Sequence, residues 1–299
     1  MGFTSQDDLL NQITVNGKSG RIDYQKTTPV AGVAGTWTDL GMGTGNPPAN
    51  TYAGASLTFV PTDDTWNEGA PYHGGNVSTA TKHFLSAGAS VFAAAGAPWI
   101  LMCVDQVGYV PITGADVTGT GSRTVTMTAL NSGSRWPDGK GLRMYFSTET
   151  APTLGGPNLT ALTYTDQDGN TGAALPATVG FAATPVAGQI PHSGNAATRY
   201  GPFLPLAVGD YGVRDIEAFT LSGGTAYGGT GALALHLVKP LWQLPIPASG
   251  NFVERDFVNM LPSMPKIPDA ACLRFLLFQT GATTTTSPVI VSADYGWGG

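Results

Sequence analysis

The stretch that decides the fold is His73-Gly74-Gly75-Asn76-Val77-Ser78-Thr79, because its pattern returns 119 residues later as His192-Ser193-Gly194-Asn195-Ala196-Ala197-Thr198. Phe84-Leu85 and Phe203-Leu204 extend the match at the same offset. Four further blocks recur in the same order, at offsets that stay between 119 and 134. They begin at Thr36, Pro48, Leu101 and Pro137. Collinear matches of this kind are what a tandem duplication leaves, so they predict two domains of like fold.

The repeats also place the boundaries. Residues 1–20 are predicted to form an N-terminal arm with a short helix, residues 21–152 a first β domain, and residues 153–299 a second domain that duplicates the first. The length of 299 residues is close to that of two average domains.

Each half is predicted to be mainly β. Short runs rich in Val, Ile, Thr and aromatic residues alternate with Gly, Pro and Asn clusters, a spacing typical of β-sandwiches, jelly rolls and barrels. The expected class is therefore all-β, with two tandem sandwich, jelly-roll-like or barrel domains and few short helices. Helix candidates are the segment Thr4 to Ile13, with Ser5 as N-cap, and the weaker segments Thr79 to Ala87 and Asn251 to Met260.

Charge is scarce in this chain. Lys plus Arg is 14 and Asp plus Glu is 20, which is 11% of the residues, against about 25% in an ordinary soluble domain. The net charge of −6 and the lack of any basic run argue against direct binding to nucleic acid and against a polybasic membrane tether. Protein interfaces are depleted in Lys, Glu and Asp, so the deficit indicates a subunit that its neighbours cover.

The uncharged stretch from Leu85 to Val104 is as long as a membrane-spanning helix, but it is mostly Ala, Gly and Ser and contains Pro98. It is interpreted as an Ala-rich turn or short helix followed by a buried strand, Trp99 to Val104. The start of the chain lacks the basic and apolar regions of a secretory signal, which favours synthesis in a cytoplasm. Cys103 and Cys272 lie in no metal-binding spacing and are expected to be buried free thiols.

The motifs that suggest chemistry are incomplete. Gly17-Lys18-Ser19 lacks the glycine that a phosphate-binding loop needs five positions earlier, where Gln12 stands. Asp166-Gln167-Asp168-Gly169-Asn170 has calcium-like alternate spacing, but Thr171 and Ala177 replace the later ligands, so a β-turn is favoured and calcium binding at Asp166 and Asp168 stays open.

Two further groups are candidates for catalysis. The duplicated His73 and His192 suit a general base or a metal ligand, but a corner that fixes the fold in both halves is favoured. His83 and His236 have no histidine counterpart in the other half. A glycan hydrolase would need paired carboxylates, for which Glu68 with Asp63 or Asp64, and Glu217 with Asp215, are the candidates. No catalytic, cofactor-binding or metal-ligating residue is predicted.

Several stretches resemble virion structural proteins of tailed bacteriophages: the opening Met1-Gly2-Phe3-Thr4-Ser5-Gln6-Asp7-Asp8-Leu9-Leu10, the motif His192-Ser193-Gly194-Asn195, the run Tyr200-Gly201-Pro202-Phe203-Leu204-Pro205-Leu206 and the tail Tyr295-Gly296-Trp297-Gly298-Gly299. The resemblance implies a component of the virion, assembled in the host bacterial cytoplasm, with the major capsid protein and copies of itself as partners.

Within that class the chain is more similar to decoration or cement proteins, which clamp neighbouring capsomers, than to shell proteins with a long spine helix. A tail-tube or shell subunit is the alternative, and a carbohydrate-binding or glycan-hydrolysing β protein is the alternative from another class. The segment Met1 to Gln12 is the expected arm to a neighbour, because its Phe3, Leu9 and Leu10 precede the first repeat.

Overall fold

The fold was analysed in a computed structural model of the chain. It describes residues 3–28, 32–65, 68–77, 79–93, 95–118, 121–127, 135–152, 156–193, 201–222, 231–259, 264–282 and 286–298. Two short α-helices lie in these ranges, α1 (Gln6–Leu10) and α2 (Ala115–Thr118). The rest of the regular structure is almost entirely β.

The first eight strands are β1 (Ser19–Thr27), β2 (Thr36–Asp39), β3 (Gly45–Asn46), β4 (Val60–Pro61), β5 (Thr81–Val91), β6 (Trp99–Thr113), β7 (Gly121–Thr124) and β8 (Arg143–Thr150). The others are β9 (Asn158–Asp166), β10 (Ala173–Ala174), β11 (Val179–Gly180), β12 (Val213–Ser222), β13 (Ala232–Ile246), β14 (Val253–Asp256), β15 (Lys266–Ile267), β16 (Leu273–Gln279) and β17 (Pro288–Gly298). The prediction of an all-β fold is confirmed.

The strands form three antiparallel sheets. Sheet A has the order β14-β5-β17-β1-β3, with β15 also on β5. Sheet B has the order β2-β16-β6-β13-β8, with β4 also on β6. Sheet C has the order β10-β9-β12-β7, with β11 also on β9.

Sheet B is shared by two hydrophobic cores. Its strands β6 and β13 are 15 residues long and run through both. Near Trp99 and Trp242, one face of sheet B packs on Phe84 and Val291 of sheet A. Farther along the same strands, at residues such as Ile112, it packs on sheet C. Two β-sandwiches therefore share one central sheet.

The strand pairing follows an internal repeat. The first set is β5, β6, β7, β8 and β9, and the corresponding second set is β12, β13, β14, β16 and β17. Strand β5 pairs with β14 and β17, just as β12 pairs with β7 and β9. Strand β6 pairs with β13 and β16, just as β13 pairs with β6 and β8. The two middle strands pair with each other antiparallel, with Leu101 opposite Leu244 and Val110 opposite Leu235. Corresponding strands of the two sets therefore have corresponding partners.

The repeated sets are interleaved. Strand β5 of the first set lies between β14 and β17 of the second in sheet A, and β12 of the second lies between β7 and β9 of the first in sheet C. All three sheets contain strands from both sides of residue 152. The predicted tandem layout of 21–152 and 153–299 therefore differs from the strand pairing, while the duplication itself stays a prediction.

Several predicted local structures also differ. Leu85 to Val91 and the helix candidate Thr79 to Ala87 belong largely to strand β5, and Asn251 to Met260 contains strand β14, with Met260 outside the described residues. The small Ala87 and Ala89 suit a strand here because both are completely buried against the core under sheet A. Small residues at these positions lowered the β signal of the sequence. Among the described residues, none of the helices has the length and apolar character that crossing a membrane requires.

The N-terminal segment packs on its own chain. Ser5 caps α1 by accepting a hydrogen bond from Asp8 N, and a π-helical turn continues to Val15. Leu9 is buried, and the Phe3 ring lies 6.2 Å from the ring of His83. The predicted arm is therefore packed against sheet A from residue 3 onward through Phe3 and Leu9, whereas Leu10 is 53% exposed.

Interleaving gives a direct prediction. Residues 1–152 lack β9 and β12, and residues 153–299 lack β5 and β6, so each fragment exposes an incomplete core. We expect either fragment expressed alone to be unfolded by circular dichroism, and the two co-expressed fragments to form a soluble 1:1 complex on size exclusion. Cooperative thermal unfolding of 153–299 by itself would contradict the interleaved fold.

Candidate functional site: a buried polar layer and an exposed apolar patch

The duplicated histidines are both completely buried. Nε2 of His73 lies 2.9 Å from the Ala271 carbonyl oxygen, and its Nδ1 lies 2.7 Å from Lys82 Nζ. Burial, and then the charge of Lys82, lower the pKa of His73. Burial lowers the pKa of His192 to about 3, beside the rings of Phe146 and Phe181. Neither imidazole reaches the surface, where a general base would meet a substrate.

Parts of the repeated motif cannot be placed with them. Gly194, Asn195 and Thr198 lie outside the described residues. His83 is partly buried, and its Nδ1 lies 3.2 Å from the Met264 carbonyl oxygen. His73, His192 and His83 thus pack against different parts of the fold.

Two of the acidic candidates, Asp63 and Glu217, are hydrogen-bonded within the fold. Asp63 Oδ1 accepts hydrogen bonds from the backbone and the hydroxyl of Thr65. Glu217 Oε1 accepts from Thr165 Oγ1 and Gly172 N, each at 3.0 Å. Burial raises the pKa of Asp215.

The Asp166 turn is closed by its own residues. Asp166 Oδ1 accepts from the backbone N–H of Asp168 and Asn170, and its Oδ2 accepts from Asn170 Nδ2 at 2.7 Å. Hydrogen bonds, led by the Asn170 side chain, lower the pKa of Asp166. Both oxygens are thus engaged in an Asx turn. Within the described ranges, no cluster of three or more His, Cys, Asp and Glu side chains is suited to hold a metal ion.

The structure brings together a group of polar residues that the sequence did not single out. On β8, Tyr145 and Ser147 alternate with Met144 and Phe146, which belong to the core with sheet C. Tyr145 and Ser147 therefore point to the opposite face of sheet B. We call this buried group the polar layer; its members are Lys26, Asp39, Asn50, Tyr52, Gln106, Tyr145, Ser147, Glu149, His236 and Arg274.

Asp39 anchors the polar layer. Its Oδ2 accepts hydrogen bonds from the hydroxyls of Tyr52, at 2.5 Å, and Tyr145, at 3.2 Å, and its Oδ1 accepts from Gly41 N. Burial, with the Asp39 charge contributing, raises the pKa of Tyr145 well above its usual value. A buried carboxylate with three donors is satisfied, and it ties the loop after β2 to sheet B.

A serine and a histidine meet beside this anchor. Ser147 Oγ donates to Glu149 Oε1 at 2.9 Å and lies 2.7 Å from His236 Nε2. Such a pair can activate a nucleophile. Here both side chains are completely buried, and the His236 ring is stacked on Tyr145 and packed against Tyr52. A substrate carbonyl cannot reach the hydroxyl, so the arrangement is structural.

Two cations complete the polar layer. Lys26 Nζ donates to the carbonyl oxygens of Gly41, Gly43 and Pro48, and so holds the loop that follows β2. Burial, and then the charge of Arg274, lower the pKa of Lys26 to about 8. The Arg274 guanidinium is completely buried and lies 5.4 Å from the centre of the Tyr52 ring.

A buried ion pair lies on the other side of sheet B. Arg135 Nε donates to both carboxylate oxygens of Asp105, at 3.0 and 2.9 Å, and Trp136 Nε1 donates to Oδ2 at 2.7 Å. Cys272 N donates to Asp105 Oδ1. Cys272 and Cys103 are both buried free thiols, as predicted.

The second candidate site is a group of exposed apolar side chains on sheet A. Ile290 of β17 faces Ser90 of β5 on the outside of sheet A, and Phe252 lies over the neighbouring Gly88. With Phe92, which follows β5, these side chains form the apolar patch: Phe92 is 45%, Phe252 54% and Ile290 36% exposed.

Comparison with known proteins finds no matching family model and no matching curated protein. Among solved structures it has weak similarity, at 9% identity, to infectious bursal disease virus Gt strain, with TM-score 0.18 over 97% of this chain and 86% of that one. The VP2 subviral particle of infectious bursal disease virus gives TM-score 0.20 at 9% identity, over 98% and 87%. T=1 particles derived from that virus give 0.18 at 9% identity, over 97% and 83%. All three are structures of a virus or its particles, and scores at this level do not establish a shared fold.

Glu149 makes the polar layer sensitive to pH. Burial raises its pKa to about 7, although Tyr52 N and Ser147 Oγ hydrogen-bond to the carboxylate. Between pH 4.5 and 7 the folded chain binds a proton that the unfolded chain has lost, so the free energy of unfolding falls as pH rises. We expect a loss of about 2 kcal/mol, less than the full shift implies because the residue is only partly buried.

The measurement is urea unfolding at pH 4.5 and pH 7.5. In Glu149→Gln, which keeps the shape but not the titration, the contribution of this residue to the pH dependence should vanish. Glu254→Gln, on the edge strand β14, serves as the control and should retain it. An unchanged pH dependence in Glu149→Gln would refute the assignment.

Proposed function

We propose that this chain is a non-enzymatic structural protein of a virus particle. The finer proposal is a decoration or cement protein of a tailed-phage capsid, which binds between shell subunits and stabilises the shell. The observation that carries it is the small number of charged groups left at the surface. Its partners would be the major capsid protein and copies of itself, and its location the virion, assembled in the host bacterial cytoplasm.

The surface is poorer in charge than the composition alone indicates. The chain has 34 charged side chains, from 14 Lys and Arg and 20 Asp and Glu. Among the residues that the structure describes, six of these are buried: Lys26, Asp39, Lys82, Asp105, Asp166 and Arg274. An isolated soluble domain normally keeps about 25–35% of its surface charged, whereas protein interfaces lose charged residues first. A surface covered by neighbours accounts for the difference.

The apolar patch supports the same proposal. Phe92, Phe252 and Ile290 stand side by side on sheet A and include two aromatic side chains, the residue type that is enriched in interfaces. Adjacent exposed apolar side chains of this kind mark contact surfaces more often than isolated ones do.

The alternative within virions is a tail-tube or shell subunit. The described helices have only four and five residues, which favours a decoration protein over a shell protein with a long spine helix. The repeated strand sets also suit a tail-tube subunit, which builds rings from tandem β domains. For the glycan-binding or hydrolytic alternative, the acidic candidates at Asp63 and Glu217 are hydrogen-bonded within the fold, and no observation favours it.

The proposal predicts self-association or binding to capsids through the apolar patch. We expect the 30.8 kDa chain to sediment as an oligomer or with purified capsid shells. Phe92→Asp with Phe252→Asp should weaken that association about tenfold or more, because charges replace apolar contacts. Analytical ultracentrifugation and co-sedimentation measure both effects.

A matched control is available at Val208, which is fully exposed. Val208→Asp should associate as the unchanged chain does. A chain that stays monomeric at high concentration and ignores capsid shells would contradict the structural role. Normal association of the double variant would contradict only the assignment of the patch.

A further inference from the structure

The inference concerns the guanidinium of Arg274. Its Nε, Nη1 and Nη2 are buried and have no hydrogen-bond partner in the protein, although the side chain is completely buried. Among the described residues Arg274 forms no ion pair, and the nearby Asp39 already accepts hydrogen bonds on both oxygens. A buried guanidinium whose N–H groups have no acceptor is costly even with a carboxylate nearby, because its donors have lost their water without replacement.

Two amide side chains also have buried polar atoms without a hydrogen-bond partner. Both side-chain atoms of Asn50, which is 2% exposed, and both of Gln106, which is completely buried, have no partner in the protein. Each amide can turn an N–H₂ group toward a bound species. Three neighbouring side chains of the polar layer therefore present donors that the fold itself leaves unused.

The three side chains lie close together in the polar layer. A Cβ placed on Gly69 would lie 2.1 Å from Arg274 Nη1 and 2.9 Å from Asn50 Cβ, so both side chains pack directly against this glycine. Arg274 pairs with Val104 across the sheet, and Gln106 lies two residues farther along the same strand. Successive residues alternate between faces, so Gln106 projects from the same face as Arg274.

We propose that Arg274, Asn50 and Gln106 form a binding site for a small monovalent inorganic anion, of which chloride is the representative. The donor set is a guanidinium with two primary amides, which supplies N–H groups and positive charge. The tight packing of Gly69 against Arg274 and Asn50 leaves no room for a large ligand beside them, so we assign a monatomic ion.

A bound anion would have a structural task. Asn50 and Gly69 belong to the segments that lie over sheet B, whereas Arg274 and Gln106 belong to the sheet. An ion shared by these residues fastens the covering segments to the sheet, beside the attachment that Lys26 makes through the Gly41, Gly43 and Pro48 carbonyls. This role is independent of the virion assignment.

Thermal unfolding at constant ionic strength tests the site, with sodium chloride exchanged against sodium methanesulfonate. A ligand that binds only the folded chain raises the midpoint, and we expect a rise of about 2–4 °C at saturation. Arg274→Met should abolish the rise, and Asn50→Leu should abolish or weaken it, which covers the case in which the first variant does not fold. Arg143→Met, at the matching position of the Leu-Arg repeat, should keep it.

Crystals grown in sodium bromide give the direct test. We expect an anomalous peak within hydrogen-bond distance of the Arg274 guanidinium and the Asn50 amide. Density at that position without anomalous signal, as ordered water gives, would overturn the proposal. So would a midpoint that is the same in chloride and in methanesulfonate.

Discussion

The antiparallel pairing of β6 with β13 is the interaction on which the rest of the structure depends. Each strand has 15 residues, about three times the common strand length, and their hydrogen-bonded ladder crosses both sandwiches. One end of the pair supplies Leu101 and Leu244 to the core with sheet A, and the other supplies Val110 and Leu235 to the core with sheet C. Since neither core can form without this pair, the two sandwiches are coupled.

The interleaving of β5 and β12 strengthens that coupling. Each is a central strand in a sheet whose neighbouring strands β14 and β17, or β7 and β9, come from the other repeated set. Such pairings join residues far apart in sequence, as the partnership of Val91 with Val289 shows, and long-range contacts slow folding because the chain must close large loops first. As a consequence, neither sandwich can open unless the strands that it shares also separate from the other sandwich.

The sequence predicted the all-β class and a repeated pattern, but not the arrangement of the strands in the sheets. The matches of Leu101 with Leu235 and of Leu142-Arg143 with Leu273-Arg274 have offsets of 134 and 131, close to the 133 residues between the starts of β6 and β13 and the 130 between those of β8 and β16. An offset says which residues correspond and not which strands pair, so a tandem layout and an interleaved one leave the same signature. The polar layer was missed for a related reason: Ser147 and His236 are 89 residues apart, and no local pattern joins them.

The buried charges connect the interior with the surface. Taking charge out of water costs free energy unless each group is paired, and Asp105 with Arg135 and Asp39 with two tyrosines show how the fold meets that cost. Each charged side chain that is buried in this way is absent from the solvent-facing surface, and the chain has only 34 charged side chains. A protein that had to remain soluble alone would be expected to place such groups outside, where they oppose association. Their position inside leaves the outer surface poor in charge, which is the observation on which the proposed structural role rests.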